Sequence, residues 1–152
     1  MFYSIGSSVV RCNELRSQGK SIVLATGFFD LLHAEHSNFL RKAKAAGDIL
    51  VVAVESDERA RELKGEGRPI EPQTTRCQKV AEYADLVIAL DANFNNPVSF
   101  ESLMAAVQPA VYAVSSHTTH LAMKRQLTEK YGGRLEVVHD WNPSISTTKQ
   151  LQ

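Results

Sequence analysis

The sequence predicts a single α/β domain, with a five-stranded parallel sheet flanked by helices. Five short apolar runs of strand length recur along the chain, and segments long enough for a helix separate them. Such long connections favour parallel strands joined by right-handed crossovers over hairpins. The predicted strands are Ile22 to Ala25, Ile49 to Val54, Leu86 to Leu90, Ala110 to Val114 and Leu135 to Val138.

A further helix is expected before the first strand. Its inward face should carry Val9, Val10, Cys12 and Leu15, and Gly19 should end it, because glycine readily adopts the left-handed conformation of a helix terminus. The resulting architecture is Rossmann-like. A length of 152 residues and a hydrophobic content of 43% suit one core, so residues 1–152 are expected to form one domain.

Composition argues against several classes of partner. Seventeen basic and seventeen acidic residues cancel, which gives no overall field to attract nucleic acid or an anionic membrane. The longest apolar run, residues 49–54, is too short to cross a bilayer, and no basic region followed by a hydrophobic stretch opens the chain, so we expect a cytoplasmic protein. Cys12 and Cys77 lack metal-site spacing and are expected to be ordinary thiols.

The distinctive residues follow the predicted strands. In doubly wound domains, ligands bind beyond the carboxyl ends of the strands. Segments 27–36, 55–69, 115–120 and 141–148 all occupy such positions, so the sequence predicts one shared pocket.

The segment from Gly27 to His36 has the features of a phosphate site. It reads Gly-Phe-Phe-Asp-Leu-Leu-His-Ala-Glu-His and joins a buried strand to an amphipathic helix, predicted at residues 37–46. The glycine permits close approach of the backbone, and the helix start offers free N–H groups. His33 and His36, three residues apart, should place both imidazoles on one face.

This segment resembles the signature Gly-x-Phe/Tyr-Asp-x-x-His-x-Gly-His of the nucleotidyltransferase (cytidylyltransferase-like) superfamily. Segments 44–48, 49–57, 64–69 and 146–148 follow in the order typical of that superfamily. The Lys-Gly-Glu-Gly-Arg-Pro run at 64–69 is similar to the adenylyltransferase domain of ADP-heptose synthase. Glycerol-3-phosphate cytidylyltransferase is a more distant relative, and the resemblance spans residues 21–149.

The resemblance implies transfer of a nucleoside monophosphate, most readily AMP from ATP, to a sugar phosphate such as heptose 1-phosphate, with release of pyrophosphate. It implies Mg2+ as cofactor, a nucleoside triphosphate and a phosphorylated sugar or polyol as partners, a place in lipopolysaccharide biosynthesis, and a possible homo-oligomer. CTP is a possible donor. Two alternatives stay open: a glycerol-3-phosphate-type cytidylyltransferase, and a non-catalytic nucleotide-binding or partner-binding domain.

Residue roles are implied by the same resemblance. The catalytic residues would be His33, His36 and Lys64. The triphosphate and nucleotide would be bound by Gly27, Phe28, Phe29, His33, His36, Arg76, Ser146 and Thr147, and the substrate by Asp30, Lys64 and Arg68. The residues themselves also allow plainer interpretations: a solvated surface for the lysine and arginines, a turn cap for Asp30, and a helix cap for Ser146 and Thr147. No metal ligand is assigned.

Glu35 departs from the family signature, which has glycine at this position. A carboxylate about 5 Å from a phosphate would be repelled by about 3 kcal/mol per unit charge at an effective dielectric near 20. We therefore expect Glu35→Gly to tighten nucleotide binding. Glu35 could instead turn to solvent, pair with Arg41 or Lys42, or ligate magnesium, and the sequence leaves all three open.

Three other segments bear on specificity. Residues 115–120 stand where relatives have a Gly-rich segment that helps form the nucleotide pocket, and His117 and His120 could bind the nucleotide in its place. No arginine precedes Ser146 as in glycerol-3-phosphate cytidylyltransferase, which favours adenylyl over cytidylyl transfer. Segment 64–75 contains Gly65, Gly67, Pro69 and Pro72, and is expected to be either a mobile basic lid or an ordinary solvated loop.

Overall fold

The computed structural model describes residues 2–141, and its five strands form one parallel sheet in the order β3-β2-β1-β4-β5. The predicted strands are all present, with ends that differ by at most two residues. They are β1 (Ile22–Gly27), β2 (Ile49–Val54), β3 (Leu86–Ala89), β4 (Val111–Ser115) and β5 (Arg134–His139). The predicted α/β, Rossmann-like fold is confirmed.

Six helices pack around the sheet: α1 (Ile5–Ser17), α2 (Ala34–Ala45), α3 (Asp57–Lys64), α4 (Gln73–Val80), α5 (Pro97–Val107) and α6 (Leu121–Lys130). Alternate strand residues point to opposite faces, so Leu24 packs with α1 and α5, whereas Val23 and Ala25 pack with α2 and α4. Both faces of the inner strands β1, β2 and β4 are therefore buried, as their continuous apolar sequences require, whereas the edge strand β5 is partly exposed.

The inward face of α1 differs from the prediction at one position. Val10 is 66% exposed, whereas Ser8, Cys12 and Leu15 are buried. Adjacent helical residues lie about 100° apart, so Val9 and Val10 cannot share one narrow face. Gly19 follows the helix with φ of 80°, as expected.

The sheet topology determines where a ligand can bind. From β1 the chain proceeds to β2 and β3 on one side, and then crosses to β4 and β5 on the other. The order reverses between β1 and β4, and the crevice at such a point is the usual ligand site of an open α/β sheet. Within residues 2–141, no helix combines the length and apolar character needed to cross a membrane.

Candidate functional site

A cavity of about 370 Å³ opens at the carboxyl ends of β1 and β4. The Thr26 hydroxyl on β1 lies 2.6 Å from the Tyr112 hydroxyl on β4, so the two strands share a hydrogen bond in its wall. The cavity is lined by Thr26, Gly27, Phe28, Phe29, His36, Phe39, Glu55, Lys64, Tyr112, Ala113, Val114, Ser115, His117, Thr118, Thr119, Lys124 and Trp141. The predicted shared pocket therefore exists, formed by segments that follow β1, β2, β4 and β5.

The two predicted catalytic histidines cap the same helix. His33 is the N-cap of α2, and its Nδ1 accepts from the amide of Glu35 at 3.2 Å. His36 Nδ1 accepts from the amide of His33 at 3.3 Å. Their rings stack with centroids 4.0 Å apart, as the three-residue spacing predicts. Backbone geometry thus orients both imidazoles at the start of the helix.

These hydrogen bonds determine the tautomer of both rings. Because each Nδ1 accepts a hydrogen bond, the proton of the neutral imidazole resides on Nε2, which becomes a donor. Burial lowers the pKa of His36 to about 3, helped by the neighbouring His33 and Lys64, and burial also lowers the pKa of His33. Within the described part of the chain, the buried Nε2 of His33 has no hydrogen-bond partner. The pair is therefore a set of neutral N–H donors.

The absence of a side chain at Gly27 leaves room for the Phe29 ring. A Cβ at this position would lie 3.0 Å from the Phe29 ring, so only glycine lets that ring pack here. Phe29 has a φ of 54° and is 5% exposed, and its ring meets His36 edge-on at 5.6 Å. The glycine thus supports the aromatic contact behind His36, in addition to lining the cavity.

Two lysines line the cavity from different elements, the exposed Lys64 and the half-buried Lys124. Lys64 ends α3 and lies 4.7 Å from the Phe28 ring centroid, and Lys124 on α6 donates to the Thr118 hydroxyl at 3.2 Å. Burial lowers the pKa of both ammonium groups. Among residues 2–141, neither lies within ion-pair distance of a carboxylate. An anion in the cavity would offset the cost of burying these two charges.

Glu55 is the acidic residue among those that line the cavity. It follows β2, and burial raises the pKa of its carboxyl group although Arg59, Lys124 and Lys64 oppose that effect. Residues 2–141 contain no cluster of three or more His, Cys, Asp or Glu side chains suited to hold a metal ion. Glu55 is thus the carboxylate in this wall that could share a cation with a bound ligand.

The segments after β4 and β5 close one side of the cavity. The Ser116 hydroxyl donates to Asp140 at 3.0 Å and accepts from the amide of Trp141 at 2.9 Å. Trp141 and His117 both line the cavity, whereas His120 lies in an adjoining cavity between α5 and α6. Of the two histidines expected to stand in for the Gly-rich segment, only His117 thus reaches the main cavity.

Glu35 does not face the cavity. Its side chain is buried, and its carboxylate lies 2.8 Å from His139 Nε2, while Lys42 Nζ lies 2.9 Å from Nδ1 of the same ring. Of the three placements considered, solvent exposure is wrong. Pairing does occur, with His139 as the direct partner and Lys42 behind it. The expected repulsion between Glu35 and a bound phosphate loses its basis, and with it the expected gain from Glu35→Gly.

Asp30 and Arg68 form a structural contact behind the cavity wall. Asp30 is 2% exposed and accepts from the amides of Ile70 and Glu71 at 2.8 and 3.0 Å, and from Arg68 Nε at 3.3 Å. Burial raises the pKa of Asp30, but these three donors outweigh it and lower the pKa overall. Residues 65–72, part of the expected lid, are thereby tied to the turn after β1, and the substrate contacts expected of Asp30 and Arg68 stay predictions.

Arg76 also has a structural position. Its side chain is fully buried, and it donates to Glu71 O at 3.0 Å, Phe28 O at 2.8 Å, Glu55 O at 2.9 Å and the Asp57 carboxylate at 2.6 Å. These four acceptors occupy all three guanidinium nitrogens. The geometry therefore does not favour the triphosphate contact expected from the resemblance, and we do not propose it.

Ser146 and Thr147 lie outside the described residues, so the nucleotide contacts expected of them stay predictions.

Several residues of the cavity wall were not predicted from the sequence. Thr26, Tyr112 and Lys124 were missed, and no role was assigned to Glu55 or Trp141. A signal existed for Lys124, which stands in the first turn of a helix that follows a predicted strand. No local pattern distinguishes Tyr112, since it lies within an apolar strand.

Comparison with known proteins reveals a family relationship. A profile described as cytidylyltransferase-like matches residues 24–150. The bifunctional protein HldE of Alcanivorax borkumensis is 35% identical over 147 residues, which cover 95% of this chain and 30% of that protein. HldE of Pelobacter propionicus is 40% identical over 126 residues, 81% of this chain and 25% of that protein. The chain thus spans less than a third of the length of these relatives.

Solved structures agree on the fold. A lipopolysaccharide core biosynthesis protein from Thermoplasma volcanium superposes with a TM-score of 0.64 at 26% identity, covering 82% of this chain and 98% of that one. Pantoate-beta-alanine ligase from Francisella tularensis gives a TM-score of 0.69 at 14% identity, covering 99% of this chain and 72% of the ligase. At that identity, the ligase supports the architecture alone.

Proposed function

We propose that this chain, a nucleotidyltransferase that belongs to the cytidylyltransferase-like family, transfers AMP from ATP to a sugar phosphate such as heptose 1-phosphate. One observation carries the proposal. Two stacked, neutral imidazoles with Nε2 donors stand at a helix N-terminus beside a cavity that also holds two ammonium groups without carboxylate partners among the described residues. This arrangement suits a polyphosphate ligand.

The reaction needs no strong base. A phosphate monoester has a second pKa of about 6, so the acceptor is mostly dianionic at neutral pH and can attack directly. A new bond forms between an acceptor phosphate oxygen and the α-phosphorus of ATP. The bond from the α-phosphorus to the oxygen that bridges to the β-phosphorus breaks, and pyrophosphate leaves with the electron pair.

The protein contributes alignment and fixed donors. His33 and His36 would donate Nε2–H to phosphate oxygens, and the buried Nε2 of His33, which has no partner within residues 2–141, would gain an acceptor. Lys64 would neutralise charge from the side of β2, and Lys124 from the side of β4. Neutral imidazoles are suitable here because each donates its Nε2–H at working pH without first taking up a second proton.

Magnesium fits the residues present. Mg2+ is commonly held by one or two carboxylates together with substrate phosphates and water, and Glu55 offers one carboxylate in the cavity wall. When bound there, the ion would neutralise part of the triphosphate charge. Since ATP is a cytoplasmic metabolite, we place this activity in the cytoplasm, and its product class, a nucleotide-activated sugar, suits lipopolysaccharide biosynthesis.

The first experiment is calorimetric titration with Mg·ATP and with Mg·CTP, followed by pyrophosphate release with heptose 1-phosphate. We expect selective binding of ATP and acceptor-dependent turnover, with the reaction lacking acceptor as the blank. Selective binding of CTP would instead support the cytidylyl alternative. Nucleotide binding without turnover on any phosphorylated sugar or polyol would contradict the transferase assignment.

His36→Ala tests the site itself. Removal of a donor that acts in the transition state should lower kcat by about 100-fold or more, with little change in far-UV circular dichroism. His120→Ala, a change of the same type at an exposed residue outside the main cavity, serves as the control. Wild-type turnover in His36→Ala would contradict the assignment of His36 as a catalytic donor.

A further inference from the structure

A hydrogen-bonded chain, Glu35–His139–Lys42, lies next to the proposed catalytic histidines, with Glu35 and His139 buried and Lys42 exposed. Glu35 and His139 are each 6% exposed, and their side chains meet at 2.8 Å. Lys42, two turns further along α2, lies 2.9 Å from the other ring nitrogen. Neither Glu35 nor His139 is among the residues that line the cavity.

The chemistry of the three groups gives the chain a direction. An ionised carboxylate only accepts hydrogen bonds, and an ammonium group only donates them. Both contacts form when His139 accepts from Lys42 at Nδ1 and donates to Glu35 from Nε2. The ring is thereby held in one tautomer and one orientation between two charges of opposite sign.

This chain joins two parts of the site that are distant in sequence. Glu35 lies in the first turn of α2, between His33 and His36, whereas His139 ends β5, two residues before Trp141. The Trp141 ring lies 5.7 Å from the His33 ring and 5.4 Å from the His36 ring, and it contacts the His139 ring edge-on at 6.2 Å. Trp141 therefore packs on all three imidazoles and lines the cavity.

On the basis of the proposed function, we infer that Glu35 and His139 are positioning residues that hold Trp141 against the His33–His36 pair. The glycine of the family signature cannot make this contact because it has no side chain. Glu35 provides a link between α2 and the end of β5, and acts on the reaction through Trp141 and the two histidines.

Burial of the pair supports a positioning role over a purely stabilising one. Taking a carboxylate out of water often costs as much free energy as its buried contact returns, so such a contact is weak evidence for stability. The best-attested role of such a contact is to select one arrangement of the surrounding structure. A shift of about 1 Å in a catalytic group can cost about 100-fold in rate, so an effect on turnover is expected.

The experiment compares Glu35→Ala, Glu35→Gln and His139→Phe with the wild type. Trp141 is the single tryptophan of the chain, so its fluorescence reports this site alone. In Glu35→Ala and His139→Phe, we expect a red-shifted emission, stronger quenching by acrylamide, and a kcat lower by about 10-fold, with Kd for Mg·ATP within about twofold. Glu35→Gln retains an acceptor for His139 and should restore most of the emission and turnover. Glu129→Gln, on the exposed side of α6, is the matched control.

The double variant Glu35→Ala/His139→Phe isolates the coupling. If the two residues act as one unit, its kcat should equal that of the worse single variant, whereas independent effects would multiply. Unchanged emission and kcat in the single variants, or independent effects in the double variant, would overturn the inference. If Glu35→Ala does not fold, Glu35→Gln and His139→Phe decide the question by the same readouts.

This test is separable from that of the proposed function. Absence of turnover in the wild type contradicts the transferase assignment. The fluorescence of the folded variants then still decides whether Glu35 and His139 position Trp141, since it requires neither ATP nor an acceptor.

Discussion

At the scale of single residues, the histidine pair shows how backbone geometry determines chemistry. Both Nδ1 atoms accept from amides at the start of α2, so both Nε2 atoms carry the proton. Burial next to a second imidazole and Lys64 keeps His36 uncharged. The same ring in solvent would be partly protonated near pH 6.5. The site is therefore built from donors that do not change charge across physiological pH.

This neutrality has a consequence for acid stability. The folded state keeps His36 unprotonated down to pH about 3, whereas an unfolded histidine binds its proton near pH 6.5. Between these values the unfolded state binds more protons, so this residue lowers the free energy of unfolding as pH falls through the window. We expect His36→Gln to remove this decrease, which is at most about 1.4 kcal/mol per pH unit.

Urea denaturation of wild type and His36→Gln between pH 7 and pH 4 measures this difference. The free energies of unfolding should diverge in favour of the variant as the pH decreases. His120→Gln, at an exposed position, should follow the wild-type curve. Parallel curves for His36→Gln and wild type would show that His36 is not held neutral.

At the scale of elements, Arg76 links the segments that form the cavity rim. From α4 it reaches the carbonyls that follow β1 and β2, and it pairs with Asp57 at the start of α3. The side chain of Arg76 is fully buried, so removal of its planar donor set leaves several acceptors unsatisfied. The elements that carry Phe28 and Glu55 are thus positioned by one guanidinium group.

Arg76→Lys should therefore destabilise the fold by about 2–5 kcal/mol. A lysine can retain one charged contact but cannot reach three carbonyls and a carboxylate together. The free energy of unfolding from urea titration measures the decrease, and Arg125→Lys, at an exposed position of α6, is the control. A weaker Kd for Mg·ATP with unchanged stability would instead support a direct triphosphate contact.

At the scale of the whole molecule, the formal net charge is zero, so attraction of anions depends on local groups. The topology supplies them by bringing Lys64 from the end of α3 and Lys124 from the first turn of α6 to one cavity. Segments from both halves of the sheet meet there because the strand order reverses at β1. A ligand that bridges these segments should stabilise the entire fold.

Mg·ATP at about 100 times its Kd should add about 2.7 kcal/mol to the stability, and raise the Tm by about 5–10 °C. Differential scanning fluorimetry measures this shift. Lys124→Met should show a smaller shift at the same ATP concentration, whereas Lys20→Met, at an exposed residue, should not. Equal shifts in both variants would exclude Lys124 from the nucleotide site.

The sequence alone determined those features of the protein that depend on hydrophobic periodicity or on residues within one helical turn of each other. Strand and helix periods predict the five parallel strands, and the spacing of His33 and His36 predicts their adjacent rings, because neighbours within one turn share a face. The carboxyl ends of the strands also locate the pocket, since parallel strands place those ends at one edge.

Only the tertiary structure decided which side chains meet across that edge. Glu35 pairs with a histidine 104 residues away, and Arg76 and Asp30 bind backbone groups of distant turns instead of lining the cavity. Strand order and register bring these partners together, and no pattern within a few residues encodes them. The family motif therefore predicted the histidine pair, whereas tertiary packing decided which hydrogen bonds the charged residues around it make.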